Sequence, residues 1–363
     1  RSKFLGVMRS NEARMTEAFT VLAHGIAAEV NRRADRNGAI PRQASFELQQ
    51  AAAQRVMRFF LGRNRQGQPA PFELLPDGSV FPLSTYMRLL WTGITDATRI
   101  PVEQNAAILT KRLPPDVLGS LRVARLNPFQ AARAAVREQV FRPNPLAQYE
   151  APHLWVDPNG YQLSDRIWNT AGNTRRRLDA FLDDAIRTGR GALNLQDRGA
   201  TGIARDLEQF LVPGRALRQT NKPYGINASF DAMRLARTEI SRAHAKAAEM
   251  SAAMNPFVQG LKWNLSGSHP KPDICDDRAA GGPYPIDNPP TMPAHPHCLC
   301  YWSYEMVGDP DAMLDELRED VRKARSELVD LIGPVLVEQF TKLLLSGELD
   351  IMRALPETIG VLA

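Results

Sequence analysis

Cysteine is scarce, with three residues in 363. An odd number this small cannot build a disulfide framework, so a reducing compartment is expected and a cysteine cluster leans towards metal. Long apolar runs are missing too. Apolar runs such as Val335 to Val337 and Leu343 to Leu345 fall far short of the ~18 residues that span a bilayer, and no transmembrane helix is expected. Residues 1 to 10 are basic but hold no apolar stretch of a secretory signal, and Arg1 suggests a start downstream of the initiator. The chain also lacks a G-x-x-x-x-G-K-[ST] phosphate loop, a G-x-S-x-G turn, H-E-x-x-H, and the H-x-E and P-C-x-x-C elements of zinc deaminases. Readings as an ATPase, hydrolase, zincin or deaminase lose ground accordingly.

Apolar residues make up 44% and charged residues 23%, as in an ordinary globular protein rather than a rod, a collagen or a disordered tail. The length favours two or three folding units. Charge is divided unevenly. Residues 1 to 226 carry 32 Lys and Arg against 20 Asp and Glu, a net +12, and residues 227 to 363 carry 13 against 20, a net −7. The basic part holds 29 arginines to 3 lysines, and the planar guanidinium suits bidentate contacts with phosphate or carboxylate. One expectation is non-specific contact with double-stranded DNA, the Arg175-Arg176-Arg177 run included. The other is that these arginines solvate helix faces or pair with acids.

Helical spacing dominates. Met15, Phe19, Leu22, Ile26 and Val30 predict one amphipathic helix ended by Asn37-Gly38. Further helices are predicted over Phe46 to Leu61, Ser84 to Ile94, Pro128 to Val140, Asp165 to Thr188 and Ser229 to Met254. Breaks are predicted at Pro69 to Pro82 and Pro143 to Pro152. In the Ser229 helix, Arg237 and His244 interrupt the stripe of Phe230, Met233, Ile240 and Ala247. They either point into a polar pocket or are a buried histidine satisfied by hydrogen bonds and an acid-paired arginine. After Gly260 the period changes to two, at Leu261, Trp263 and Leu265 and again at Cys300, Trp302, Tyr304 and Met306, predicting two strands. Beyond Asp309-Pro310, the residues Leu314, Leu317, Val321, Ala324, Leu328 and Leu331 form a heptad stripe. That stripe packs either on Val335 to Leu345 or on another chain.

Between the two strands, Ser266 to His297 holds eight prolines and the pair Gly281-Gly282. Neither helix nor central strand is expected there. So long a connection needs a fastener, and this stretch with its exit contains Cys275, Cys298 and Cys300 together with His269, His295 and His297. In an extended segment Cys298 and Cys300 face one side, so both could reach one ion. Cys275 and a histidine would then complete a Cys3His zinc site. A disulfide from Cys275 to Cys298 or Cys300, and free buried thiols, are the competing readings.

The succession of Gly160 to Trp168 (G-Y-Q-L-S-D-R-I-W), Gly202 to Leu207 (G-I-A-R-D-L), Ala236-Arg237-Thr238-Glu239, Trp263, Asp273-x-Cys275 and His295-Pro296-x-Cys298-x-Cys300 resembles the phage head morphogenesis domain of Mu F-like minor head proteins. The likeness covers about residues 155 to 303, with Leu299 where that family commonly has Arg. It implies a minor capsid protein of a tailed-phage virion, associated with the portal or the major capsid protein and serving head assembly and DNA packaging or ejection. The alternative is a virion-associated metal-dependent hydrolase or transferase, with Arg237, Glu239 and His269 near the metal. The fold class expected is α+β and predominantly α-helical. A helical unit over 1–150 is followed by a central domain with a Cys/His hairpin over 151–306 and by C-terminal helices over 307–363.

Overall fold

The computed structural model describes residues 1–36, 38–75, 80–112, 163–188, 202–213, 228–253, 255, 257–266, 272–296, 298–309, 311–313, 315, 319 and 326. The predicted helix at Pro128 to Val140, the heptad residues from Leu314 to Leu331 and the expected boundary near residue 150 lie outside these. The architecture is predominantly α-helical with small antiparallel strand pairs, as the spacing of apolar residues predicts. In chain order the elements are α1 (Ser2–Arg33), α2 (Arg42–Phe60), β1 (Gly62–Arg63), β2 (Pro69–Ala70), β3 (Phe72–Leu74), β4 (Val80–Pro82), α3 (Thr85–Arg112), α4 (Leu163–Arg187), α5 (Ile203–Leu211), α6 (Phe230–Ala253), β5 (Val258–Asn264), α7 (Ile274–Ala280) and β6 (Tyr301–Met306). The described elements fall into two compact units. One is built on α1, α2, β1 to β4, the start of α3, α4, α5 and α6 as far as Ala245, with residues 291–299; the other on α3 from Arg99, α6 from Lys246, and β5, α7 and β6.

In the first unit α1 packs on α2 and α5, and α2 on α4. The predicted stripe of α1 is buried from Met15 to Val30, and Phe4 and Met8 extend it towards Ser2. Phe59, Phe60, Phe19 and Tyr86 form a ring cluster with centroids 4.7 to 6.2 Å apart. Burying each such side chain stabilises by about 1.5–3 kcal/mol. Tyr86, wholly buried, donates its hydroxyl to Ala232 O at 2.7 Å, and burial pushes its phenol well above the ordinary range. α3 approaches α1 and α6 so closely at Gly93 that a Cβ there would lie 2.5 Å from Ile240 Cδ1 and 2.7 Å from Asn11 Nδ2. Only glycine fits. Buried Glu29 on α1 accepts from Arg32, Arg33 and Arg55, and the hydrogen bonds from Arg55 and then Arg33 draw its carboxyl down to about 2.

Three boundaries differ from the sequence reading. α1 ends at Arg33, before the predicted stop, and Gly38 N donates to Asp35 O at 2.9 Å beyond it. α3 runs past Ile94 and through Pro101 to Arg112, because Ala97, Thr98, Ile100 and Val102 continue its buried side. The proline-rich stretch before Pro82 holds β2, β3 and β4, paired antiparallel as β1 with β2 and β3 with β4. Strands of two or three residues are too short to show a period.

The second unit centres on the β5–β6 hairpin. Leu261 pairs with Tyr304, Trp263 with Trp302 and Asn264 with Tyr301, and a register shift at Val258/Gly260 resets the alternation. Leu261 and Trp263 are buried while Gln259 and Lys262 are exposed, so the predicted period of two holds. A bridge joins Leu261 to Tyr284, where a Cβ on Gly260 would come 3.0 Å from Tyr284 O. Glycine in a strand marks such a close approach of backbone. Trp302 donates Nε1–H to Glu249 Oε1 at 3.1 Å, fixing β6 to the end of α6.

Candidate metal centre

The expectation that Ser266 to His297 excludes a helix is overturned by α7. Its prolines gather at 270 and 272 and again from 283, leaving residues 273 to 282 free of them. Asp273 starts the helix through a capping box, accepting from Cys275 N at 2.7 Å while its own N–H donates to Asp276 Oδ2 at 2.8 Å. Such a box satisfies donors that a helix start otherwise leaves open. The Asp of the D-x-C element is thus a helix cap that places Cys275 in the first turn. The D-x-x-D spacing of Asp273 and Asp276 was the signal for it. Arg278 lies over the Trp263 ring, 5.1 Å from its centroid, and Tyr284 donates its hydroxyl to Arg278 O at 2.8 Å. These contacts hold α7 against β5.

At the far end of the insertion, Cys298 N donates to His295 O at 3.2 Å, which folds H-P-x-C into a turn. His295 Nδ1 lies 2.9 Å from Pro296 O. Cys275, His295 and Cys298 each offer a ligand atom, and these atoms all lie within 4.8 Å of one another. This cluster can hold a metal ion. Cys275 and Cys298 are buried and His295 is half-buried, so the sulfurs are shielded from solvent.

Cys300 is buried as well but stands outside that group. The reason is local: Cys298 ends a turn instead of lying in an extended strand, so the alternation that would align it with Cys300 begins only at Tyr301. None of the three cysteines is in a disulfide, against the disulfide reading. His269 and His297 lie outside the described residues.

The remaining residues singled out in the sequence have other partners. Arg237 approaches Glu12 Oε1 at 4.0 Å, and His244 packs on the Phe4 ring with centroids 4.2 Å apart. Burial drives the His244 imidazole down to about 3, so it is neutral at physiological pH. Arg237 is thus the acid-paired arginine of the second reading, while His244 is buried as that reading expects but packs on a ring. Glu239, two residues beyond Arg237 and therefore on another side of α6, binds Arg166 of α4 at 2.5 Å. Neither Arg237 nor Glu239 belongs to the ligand group. Arg166 and Glu239 come from separate motifs, G-Y-Q-L-S-D-R-I-W and A-R-T-E, and sequence reasoning did not connect them. Arg175 and Arg177 sit 3.5 Å from Asp179 and 3.6 Å from Asp231, and Arg176 donates to Asn173. The basic run is therefore partly neutralised by its own unit.

No helix among the described residues is long and apolar enough to cross a membrane. Set against protein-family models, curated proteins and solved structures, the chain matches none of them.

Proposed function

We propose that this chain is a minor head protein of a tailed phage, a non-enzymatic component of the virion associated with the portal. One observation supports this reading above others. Cys275, from the D-x-C element, meets His295 and Cys298, from the H-P-x-C-x-C element, and these are the most telling motifs of the resemblance to Mu F-like head proteins. Zinc is the ion proposed, since two thiolates and an imidazole suit it and a closed tetrahedral set serves structure. Its role is to fasten residues 265–300, a connection too long and proline-rich to hold its shape through backbone pairing alone.

Portal and major capsid protein are the proposed partners, and packaged double-stranded DNA a third. The DNA contact rests on the net +12 of residues 1 to 226 and not on the Arg175-Arg176-Arg177 run, which has acids and an amide of its own. Phosphate neutralisation needs no base-reading motif, and its salt dependence is steep, ~0.9 log unit per log unit of salt for each phosphate.

Co-expression of the full chain with the portal and major capsid proteins of its own phage tests the assembly role. Co-sedimentation with either is the expected result, and a chain that stays apart from both overturns the reading. X-ray absorption of the purified, metal-loaded chain tests the role of the metal. Cys275, His295 and Cys298 are expected together with a fourth protein ligand, for which His269 and His297 are the remaining sequence candidates; three ligands with a bound water, together with turnover of an ester or glycosyl substrate, would support the hydrolase or transferase alternative instead.

A further inference from the structure

A second polar site lies within the first unit, between α4 and α6. Arg166, Thr170 and Asn173 recur at helical spacing on α4, and Asp231, Arg234, Thr238, Glu239 and Arg242 do so on α6. Two helices normally meet through apolar stripes. Here polar stripes face each other around a cavity of about 340 Å³, within the size range of small-ligand sites.

Three arginines and two acids line it, leaving one positive charge in excess. Asp231 is engaged by Arg177 and Arg234 at 3.6 and 3.5 Å. The Glu239 side chain is wholly buried, with 0% exposure. Its Oε1 takes Arg166, but its Oε2 has no hydrogen-bond partner among the described residues. Arg242 stands nearby with Nη1 at 3.6 Å from Glu239 Oε1, beyond hydrogen-bond reach, and its Nε and Nη1 are buried without acceptors. The unsatisfied guanidinium donors of Arg242 and the unsatisfied carboxylate oxygen of Glu239 thus belong to residues that line the same cavity. Buried groups of this kind are nearly always satisfied.

We propose that this cavity binds orthophosphate. At neutral pH orthophosphate carries both anionic oxygens, which match the Arg242 guanidinium, and a P–OH group, which can donate to Glu239 Oε2. A fully ionised oxyanion supplies only the first half and places a lone pair against the carboxylate. Sulfate therefore binds poorly. So does a nucleoside 5′-monophosphate at pH 7.5, where it has lost the proton of its second ionisation near ~6.

Isothermal titration of the full chain at pH 7.5 tests the site with sodium phosphate, sodium sulfate and a nucleoside 5′-monophosphate as probes. Orthophosphate is expected to bind at least about tenfold tighter than the other two, the ratio that one charge-assisted hydrogen bond supports. Arg242→Gln, a change at a side chain that keeps some solvent contact, should keep the fold and weaken phosphate by about tenfold or more. Glu239→Gln, if it folds, should narrow the preference for phosphate over sulfate, because an amide can donate to sulfate. The proposal is overturned by no binding of phosphate at about 10 mM, by sulfate binding within about threefold of phosphate, or by unchanged affinity in Arg242→Gln.

Discussion

The helical region and the stretch from Phe257 to Met306 solve the same problem with different means. In α1 and α2, residues at spacings of three and four bury a continuous apolar stripe, and charges such as Glu29 are met by several arginines. Among its described residues the 257–306 stretch has one two-stranded pair, an arrangement that is marginal in water by itself. It leans on specific polar and aromatic contacts: Trp263 edge-on to Trp302 at 5.2 Å, Arg278 over Trp263, the Asp273 cap and the bond from Trp302 to Glu249. Where apolar area is plentiful, stability is spread over many residues. Where it runs short, it is concentrated in a few, and the Cys/His cluster, with a metal ion bound, would be the most concentrated case.

The largest test of this contrast is removal of the metal. Cys275→Ser, or chelation of the loaded protein, should lower Tm by on the order of 10 °C and open residues 265–300 to proteolysis while helical circular dichroism is retained below the transition. Loss of the helical signal at the same step would show that both regions depend on the ion and would break the comparison.

Next in size is the Arg166–Glu239 pair. Glu239→Ala removes the buried carboxylate that faces Arg166 and Arg242 and should destabilise by about 3–5 kcal/mol in urea unfolding. Arg166→Met combined with Glu239→Leu should recover most of that loss. A mild effect of the single change would mean that Arg166 finds another acceptor.

A smaller effect is the acid response of the helical region. His244 has a folded value of about 3, below its ordinary 6.5, so the stability it contributes is fully present above pH 6.5 and is lost as pH falls towards 3. Glu29 acts lower, its contribution fading as pH falls from 4.5 towards about 2. His244→Phe should flatten the stability profile between pH 6.5 and 3, and Glu29→Gln should flatten only the limb below 4.5. Denaturant midpoints across pH measure both.

The smallest is the cap. Asp273→Ala should destabilise by about 1 kcal/mol and loosen Cys275, read as weaker metal retention against a competing chelator, whereas Asp273→Ser should keep most of the effect.

Much of the helical scaffold was legible because amphipathic periodicity is a local property of the chain. Met15 to Val30, Phe46 to Leu61 and Ser229 to Met254 need only be read at 3.6 residues per turn. The hairpin was legible at period two through Leu261, Trp263 and Trp302. What escaped was either too short for a period, as in β1 to β4, or hidden by the prolines on either side, as in α7. In the candidate site the residue types and the two ends of the insertion could be read, but the ligand group could not. Cys298 and Cys300 look equivalent in sequence, and only the turn from His295 to Cys298 separates them.

By itself, then, the sequence determined the helical class, the hairpin, the scarcity of cysteine and its concentration within Cys275 to Cys300, since composition and periodicity act over a few neighbouring residues. Tertiary structure alone decided the pairings over long separations. Arg166 with Glu239 is one, Arg237 with Glu12 another, and Cys275 with His295 and Cys298 a third. A buried charge takes whichever counter-charge the packing of helices brings within reach, and nothing in the local sequence names that partner.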